Sequence, residues 1–204
     1  MRDPIRKLSS LTILLLPTLA WGADLDKGLA AYNEGDYETS LAECQPLADE
    51  GDAMAQFCVG RLYANGFGVG MDDALSLHWY GAAAEQGHAE AQFNLGVMHS
   101  NGWGVDMNDQ EAAKWYRLAA HQGFLQAQTS LAKLCHKGRG VEQDIIEAYM
   151  WYDIATQLGD SGSKFKRDEI AGELSAEHVT TAQQMALRWI DDHNSETLHA
   201  DQIN

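Results

Sequence analysis

Eight histidines, three cysteines and a Ser-x-x-Lys are the residues of this 204-residue chain whose types could carry chemistry. Two histidines spaced i, i+4 on a helix, with a third ligand nearby, would hold zinc. His78, His88, His99, His121 and His136 show no such spacing with a third ligand, so they read as surface or packing residues. Ser161-Gly162-Ser163-Lys164 has the spacing of a serine nucleophile and its lysine in acyl transfer. It lacks both companion motifs, Lys-Thr-Gly and Ser-Asp-Asn, and stands where a helix should begin, so hydroxyl capping explains its serines. The loops Gly66-x-Gly68, Gly102-x-Gly104 and Gly138-x-Gly140 are not followed by the Gly-Lys-Ser/Thr of a phosphate cradle. The expectation is therefore a protein without catalytic residues, metal or cofactor.

The elements that must position these residues follow a gapless 36-residue period over 52–87, 88–123 and 124–159. Trp79, Trp115 and Trp151 coincide, as do Tyr80, Tyr116 and Tyr152, and each unit closes on Gly87, Gly123 or Gly159. Ala55, Val59, Leu62 and Tyr63 fall on one face of a helix, and Leu75, Trp79, Ala82 and Ala83 fall on one face of the next. The first glycine of each loop pair suits the left-handed end of a helix, and the second permits a tight reversal. Asp72, Asn108 and Asp144 then cap the second helix, with Glu111 and Glu147 placed to complete capping boxes. Of 13 glycines in residues 52–159, 11 sit at repeated positions, so glycine here is punctuation rather than flexibility. Each unit is expected to be a helix–loop–helix hairpin. A shorter hairpin over 23–51 precedes the array. Two helices, 164–174 and 176–190, should cap it within 160–194, with Ala182, Ala186 and Trp189 on one stripe, leaving 195–204 as a frayed tail.

The string Ala91-Gln92, Leu95-Gly96, Gly102-Trp103-Gly104-Val105, Trp115-Tyr116 and Ala119-Ala120-His121-Gln122-Gly123 resembles the Sel1-like repeat, a relative of the tetratricopeptide repeat. The resemblance covers roughly residues 25–190. It departs from the pattern in the third unit, where Ala132 replaces Gly60 and Gly96 and Cys135 replaces Tyr63. The resemblance implies an all-α, right-handed α-solenoid with a concave surface, serving mainly as an adaptor between other proteins. It also brings one rival, a cell-envelope hydrolase or β-lactam-binding protein of the cysteine-rich Sel1-like type. A third reading is a secreted effector that binds a host protein.

Arg2, Arg6 and Lys7, the apolar run Leu11 to Ala20 and the small residues before Ala23 read as a secretory signal peptide over 1–22, cleaved between Gly22 and Ala23. Export follows as an expectation, to the periplasm first and beyond the cell second, with no stable membrane insertion. The net charge of −16 becomes −18 once residues 1–22, with three bases and one acid, are removed. Such a chain repels phosphate backbones, so nucleic acid is a poor partner and another protein the expected one, bound to a monomer. Cys44 and Cys58 stand seven residues on either side of Gly51, the turn between two antiparallel helices. They can form a disulfide in an oxidising compartment or remain two buried thiols. Cys135 is expected to be buried rather than reactive.

Candidate partner contacts are the first-helix positions that change while the scaffold does not: Arg61, Val97 and Lys133 at one register, and Cys58, Asn94 and Ser130 at another. In stacked hairpins the first helices line the concave face. Lys133, His136, Lys137 and Arg139 form a cationic cluster at the end of one helix, suited either to the helix dipole or to an acidic group on a partner.

Overall fold

The structure, a computed structural model, describes residues 22–201. The expected signal sequence, apart from Gly22, lies outside the described residues. Among the described residues ten helices follow in chain order: α1 (Leu25–Glu34), α2 (Tyr37–Asp49), α3 (Ala53–Asn65), α4 (Asp73–Glu85), α5 (Ala89–Asn101), α6 (Asp109–His121), α7 (Leu125–Lys137), α8 (Ile145–Gln157), α9 (Ser161–Ile170) and α10 (Ala176–Asp201). A 3-10 turn over Ala171–Glu173 links the last two. Among the described residues there is no strand, and the fold is an all-helical solenoid of stacked hairpins. Each helix packs chiefly on those before and after it in sequence, and α10 lies on α8.

The loops within the repeats explain why the hairpins are so regular. Asp72, Asn108 and Asp144 accept hydrogen bonds at their side chains from Leu75, Glu111 and Glu147 N–H. The reciprocal half of the expected capping box is not formed. Instead the N–H of each cap donates to the first helix of its own unit, at the carbonyls of Tyr63, His99 and Cys135. That bond ties the two helices together and leaves Glu111 free to meet Lys114, and Glu147 to meet Arg117 and Trp151. The second glycine of each loop does more than reverse the chain. Gly68, Gly104 and Gly140 rest directly against the first residues of α2, α4 and α6, namely Tyr37, Asp73 and Asp109, so they set the spacing between units.

Buried residues run along the seams between consecutive helices, in three clusters from the N-terminal hairpin to α10. Ala55, Val59 and Leu62 are fully buried, as their spacing predicts. The second helices are rotated relative to the expected face. Ser76, Tyr80, Ala83 and Ala84 are buried, whereas Leu75 is 40% exposed. Trp79 and Trp115 sit half-buried at the seams between units: Trp79 packs against a cluster shared by α2 and α3, and Trp115 against one shared by the first repeat and α5. Tyr80 and Tyr116 fill the interior instead, with rings so close to Gly60 and Gly96 that a Cβ there would come within 2.7 Å.

At the C-terminal end α9 begins earlier than the pattern suggests, and its cap is Asp160, whose carboxylate accepts from Ser163 N–H at 2.7 Å; the serines are not the capping groups. Ala182 and Ala186 are fully buried and Trp189 meets Trp151 edge to face. Helix α10 continues to Asp201 rather than ending near 190, because no glycine or proline interrupts residues 176–201.

Candidate protein-interaction surface

The first helices carry the variable positions, and the structure sorts the candidate residues into three groups. Asn94 and Val97 of α5 are half-buried and line a groove of about 320 Å³ with Tyr80, Asp73 and the loop residue Trp103. Ser130, Lys133, His136 and Lys137 of α7 line a larger groove of about 610 Å³, closed on its far side by α9. Arg61 joins neither: its guanidinium lies 3.9 Å from the centre of the Tyr32 ring, a cation–π contact with the N-terminal hairpin.

The expected cationic cluster is divided by internal pairing. Arg139 makes two hydrogen bonds to Asp109, at 2.7 and 3.0 Å, so it stitches the third repeat to the second. The same register holds Phe67 stacked on Tyr37 in the first repeat, with 4.3 Å between ring centres. One geometric slot is thus filled by different chemistry in the first and third repeats. His136 meets Glu173 at 2.9 Å. Lys133 and Lys137 make no ion pair among the described residues, and α9 brings a third lysine, Lys166, onto the same groove. Lys166 was not legible as part of this cluster, since it is more than thirty residues from Lys133.

Cys58 does not belong to an exposed stripe; it is 1% exposed. The Sγ atoms of Cys44 and Cys58 face each other at 2.6 Å, with Ser40 Oγ 3.4 Å from Cys58. Donation to Cys58, together with burial, raises the Cys44 thiol above its ordinary range, and acceptance of that bond lowers Cys58. Cys135 is fully buried, and burial pushes its thiol up to about 12.

The histidines are dispersed. His88 caps α5 by accepting from Ala91 N–H at 3.2 Å, and His121 meets the Trp151 ring edge-on. Burial lowers His88, His99 and His121 below the ordinary histidine value. Among the described residues no group of three or more His, Cys, Asp or Glu is placed to hold a metal ion.

Ser161 and Lys164 are both exposed, on the first turn of α9. The same spacing recurs as Ser130-Leu131-Ala132-Lys133 and Ser163-Lys164-Phe165-Lys166, which both reach the larger groove; the sequence pattern alone did not single them out. Among the described residues no serine of these sets is hydrogen-bonded to its lysine. Backbone N–H groups in mid-helix, where Ser130 lies, are occupied by helical bonds, so none is available as an oxyanion donor there.

Three buried amides complete the picture. Gln56, Gln92 and Gln128 each donate to a carbonyl of the preceding helix, at Ala48, Ala84 and Ala120. Gln86 and Gln122 in turn donate to Gln56 and Gln92 at 2.8 and 2.7 Å. Leu158 occupies that register in the third repeat, and Gln128 Oε1 is left without a partner.

The Sel1 repeat family model matches residues 53–88, 89–124 and 125–160, and the chain belongs to this family. Among solved structures it is similar to a protective antigen of uropathogenic Escherichia coli displaying an SLR fold, at 30% identity and a TM-score of 0.70, covering 81% of this chain and 35% of that one. It is also similar to a Sel1 repeat protein from Oxalobacter formigenes, at 34% identity and a TM-score of 0.68, covering 72% and 58%. The chain therefore spans about a third of the first and somewhat over half of the second. No curated protein matches it. Sel1 repeat proteins are generally protein-interaction scaffolds. Among the described residues no helix is long and apolar enough to cross a membrane.

Proposed function

We propose that this protein is a non-catalytic scaffold, exported to the periplasm, that holds a partner protein on the surface made by its first helices. The carrying observation is the pair of grooves beside α5 and α7. Both are lined by residues that change from repeat to repeat on an otherwise constant framework. A rigid repeat framework with variable side chains on one face is the arrangement by which solenoids recognise other proteins. In this reading Asn94, Val97, Ser130, Lys133 and Lys137 make contact, whereas Arg61 and Arg139 act mainly within the solenoid. Export also places Cys44 and Cys58 where a disulfide between them would persist.

A photocrosslinking side chain at position 94 or 97, in the cell of origin, tests the scaffold reading. A discrete adduct that disappears with Val97→Arg is the expected result, and the absence of any adduct at either position would overturn it. A labelled penicillin tests the non-catalytic assignment. No covalent labelling is expected, and labelling lost in Ser161→Ala, Ser130→Ala or Ser163→Ala would show an acyl-transfer enzyme instead. Fractionation of the cell should place the protein, cut between Gly22 and Ala23, in the periplasm; an uncut cytoplasmic form would refute export.

A further inference from the structure

The groove between α7 and α9 concentrates positive charge in a chain whose net charge is −16. Lys133 and Lys137 stand one turn apart on α7, exposed and without ion-pair partners among the described residues, and Lys166 faces them from α9. The two carboxylates that also line the groove are already engaged. Asp160 caps α9 through Ser163 N–H, and Glu169 meets Lys166 at 2.7 Å. His136, at the rim, meets Glu173.

The floor of the groove is polar. Ser163 is 2% exposed, and its side chain stands against the Asp160 carboxylate and holds it below the usual carboxylate range. Tyr152 and Ile170 add apolar wall, and Thr129 to Lys137 extend the groove over about two helical turns, ~12 Å. That length exceeds a single small anion.

We propose that this groove binds an acidic segment of a partner protein, with carboxylates seated between Lys133, Lys137 and Lys166. The proposal rests on the scaffold reading above and names the chemistry of the segment that the scaffold takes.

The test is fluorescence anisotropy of fluorescein-labelled hexaglutamate against the full chain at low ionic strength, where surface charge is least screened. Saturable binding is expected, with none for hexaglutamine. Lys133→Glu with Lys137→Glu should weaken it by at least about tenfold, ~1.4 kcal/mol. Both lysines are exposed, so the thermal midpoint of that double variant should not fall, which separates lost contact from lost folding. Absence of saturable binding, or binding indifferent to the lysine changes, would overturn the proposal. So would full competition by equimolar inorganic phosphate, which would make this a small-anion site. Failure here with a persisting Val97-dependent adduct would leave the scaffold reading intact; failure of both would remove it.

Discussion

A Cβ on Gly104 would stand 2.5 Å from the carbonyl oxygen of Asp73, closer than a side chain can sit. Gly104, in the loop of the second repeat, also has φ +67°, where a Cβ is strained on its own account. Gly104→Ala should therefore destabilise the array by about 3 kcal/mol or more, through strain and through prising two units apart. Gly70 has open space around its would-be Cβ. Gly70→Ala should stay within about 0.5 kcal/mol of wild type. Urea denaturation of the two variants checks the contrast, and equal effects would dismiss the inter-unit role.

The amide ladder that stops at Leu158 offers a stabilising change. Leu158 is 52% exposed and contributes little burial, while Gln128 Oε1 is buried without a donor. Leu158→Gln restores the arrangement that Gln86 and Gln122 make in the earlier repeats. A gain of about 1 kcal/mol is expected, visible as a raised thermal midpoint.

Arg167 of α9 holds the nearly buried Asp153 of α8 at 2.8 Å, with side-chain exposures of 19% and 7%. Truncating the arginine leaves a buried carboxylate unpaired, at an expected cost of about 3–5 kcal/mol. Adding Asp153→Asn to Arg167→Ala should recover most of that loss. A double-mutant cycle by chemical denaturation measures the recovery, and simple additivity would count against the pair.

In protein recovered from an oxidising compartment, Cys44 and Cys58 should be joined. The closed loop of about 15 residues corresponds to stabilisation of about 3 kcal/mol, lost on reduction. Non-reducing peptide mass mapping decides the matter: both residues recovered as free thiols would refute the bond.

Three histidines give the stability a pH dependence. Burial lowers His88, His99 and His121 in the folded protein, so the unfolded chain takes up their protons first as pH falls. Their contribution is complete above the ordinary histidine value near 6.5 and declines below it, by up to ~1.4 kcal/mol per pH unit for each proton. The urea midpoint should drop between neutral and mildly acidic pH. His99→Tyr, the residue that Tyr63 supplies at that register, should flatten part of the slope. A steeper drop in the variant would contradict the assignment.

Much of this fold was legible because its rules are local. The left-handed cap at Gly66 and the side-chain cap at Asp72 act within a few residues, and the 36-residue period multiplies them into an array. The candidate surface was legible only in outline: Asn94, Val97, Ser130, Lys133 and Lys137 do reach grooves, while Arg61 and Arg139 turn to Tyr32 and Asp109. Trp79 lies on the helical face its spacing suggests, but that it meets a cluster drawn from both its own α3 and the preceding α2 was not legible.

The sequence by itself determined the hairpins, their caps and their repetition, since these depend on backbone geometry within one or two turns. Only the tertiary structure decided which residues meet across units: Gln122 with Gln92, Arg117 with Glu147, and Lys166 beside Lys133. Such neighbours lie some thirty residues apart, and their meeting depends on the angle at which one hairpin stacks on the next. That angle is set by close contacts such as Gly104 on Asp73, which no spacing along the chain encodes.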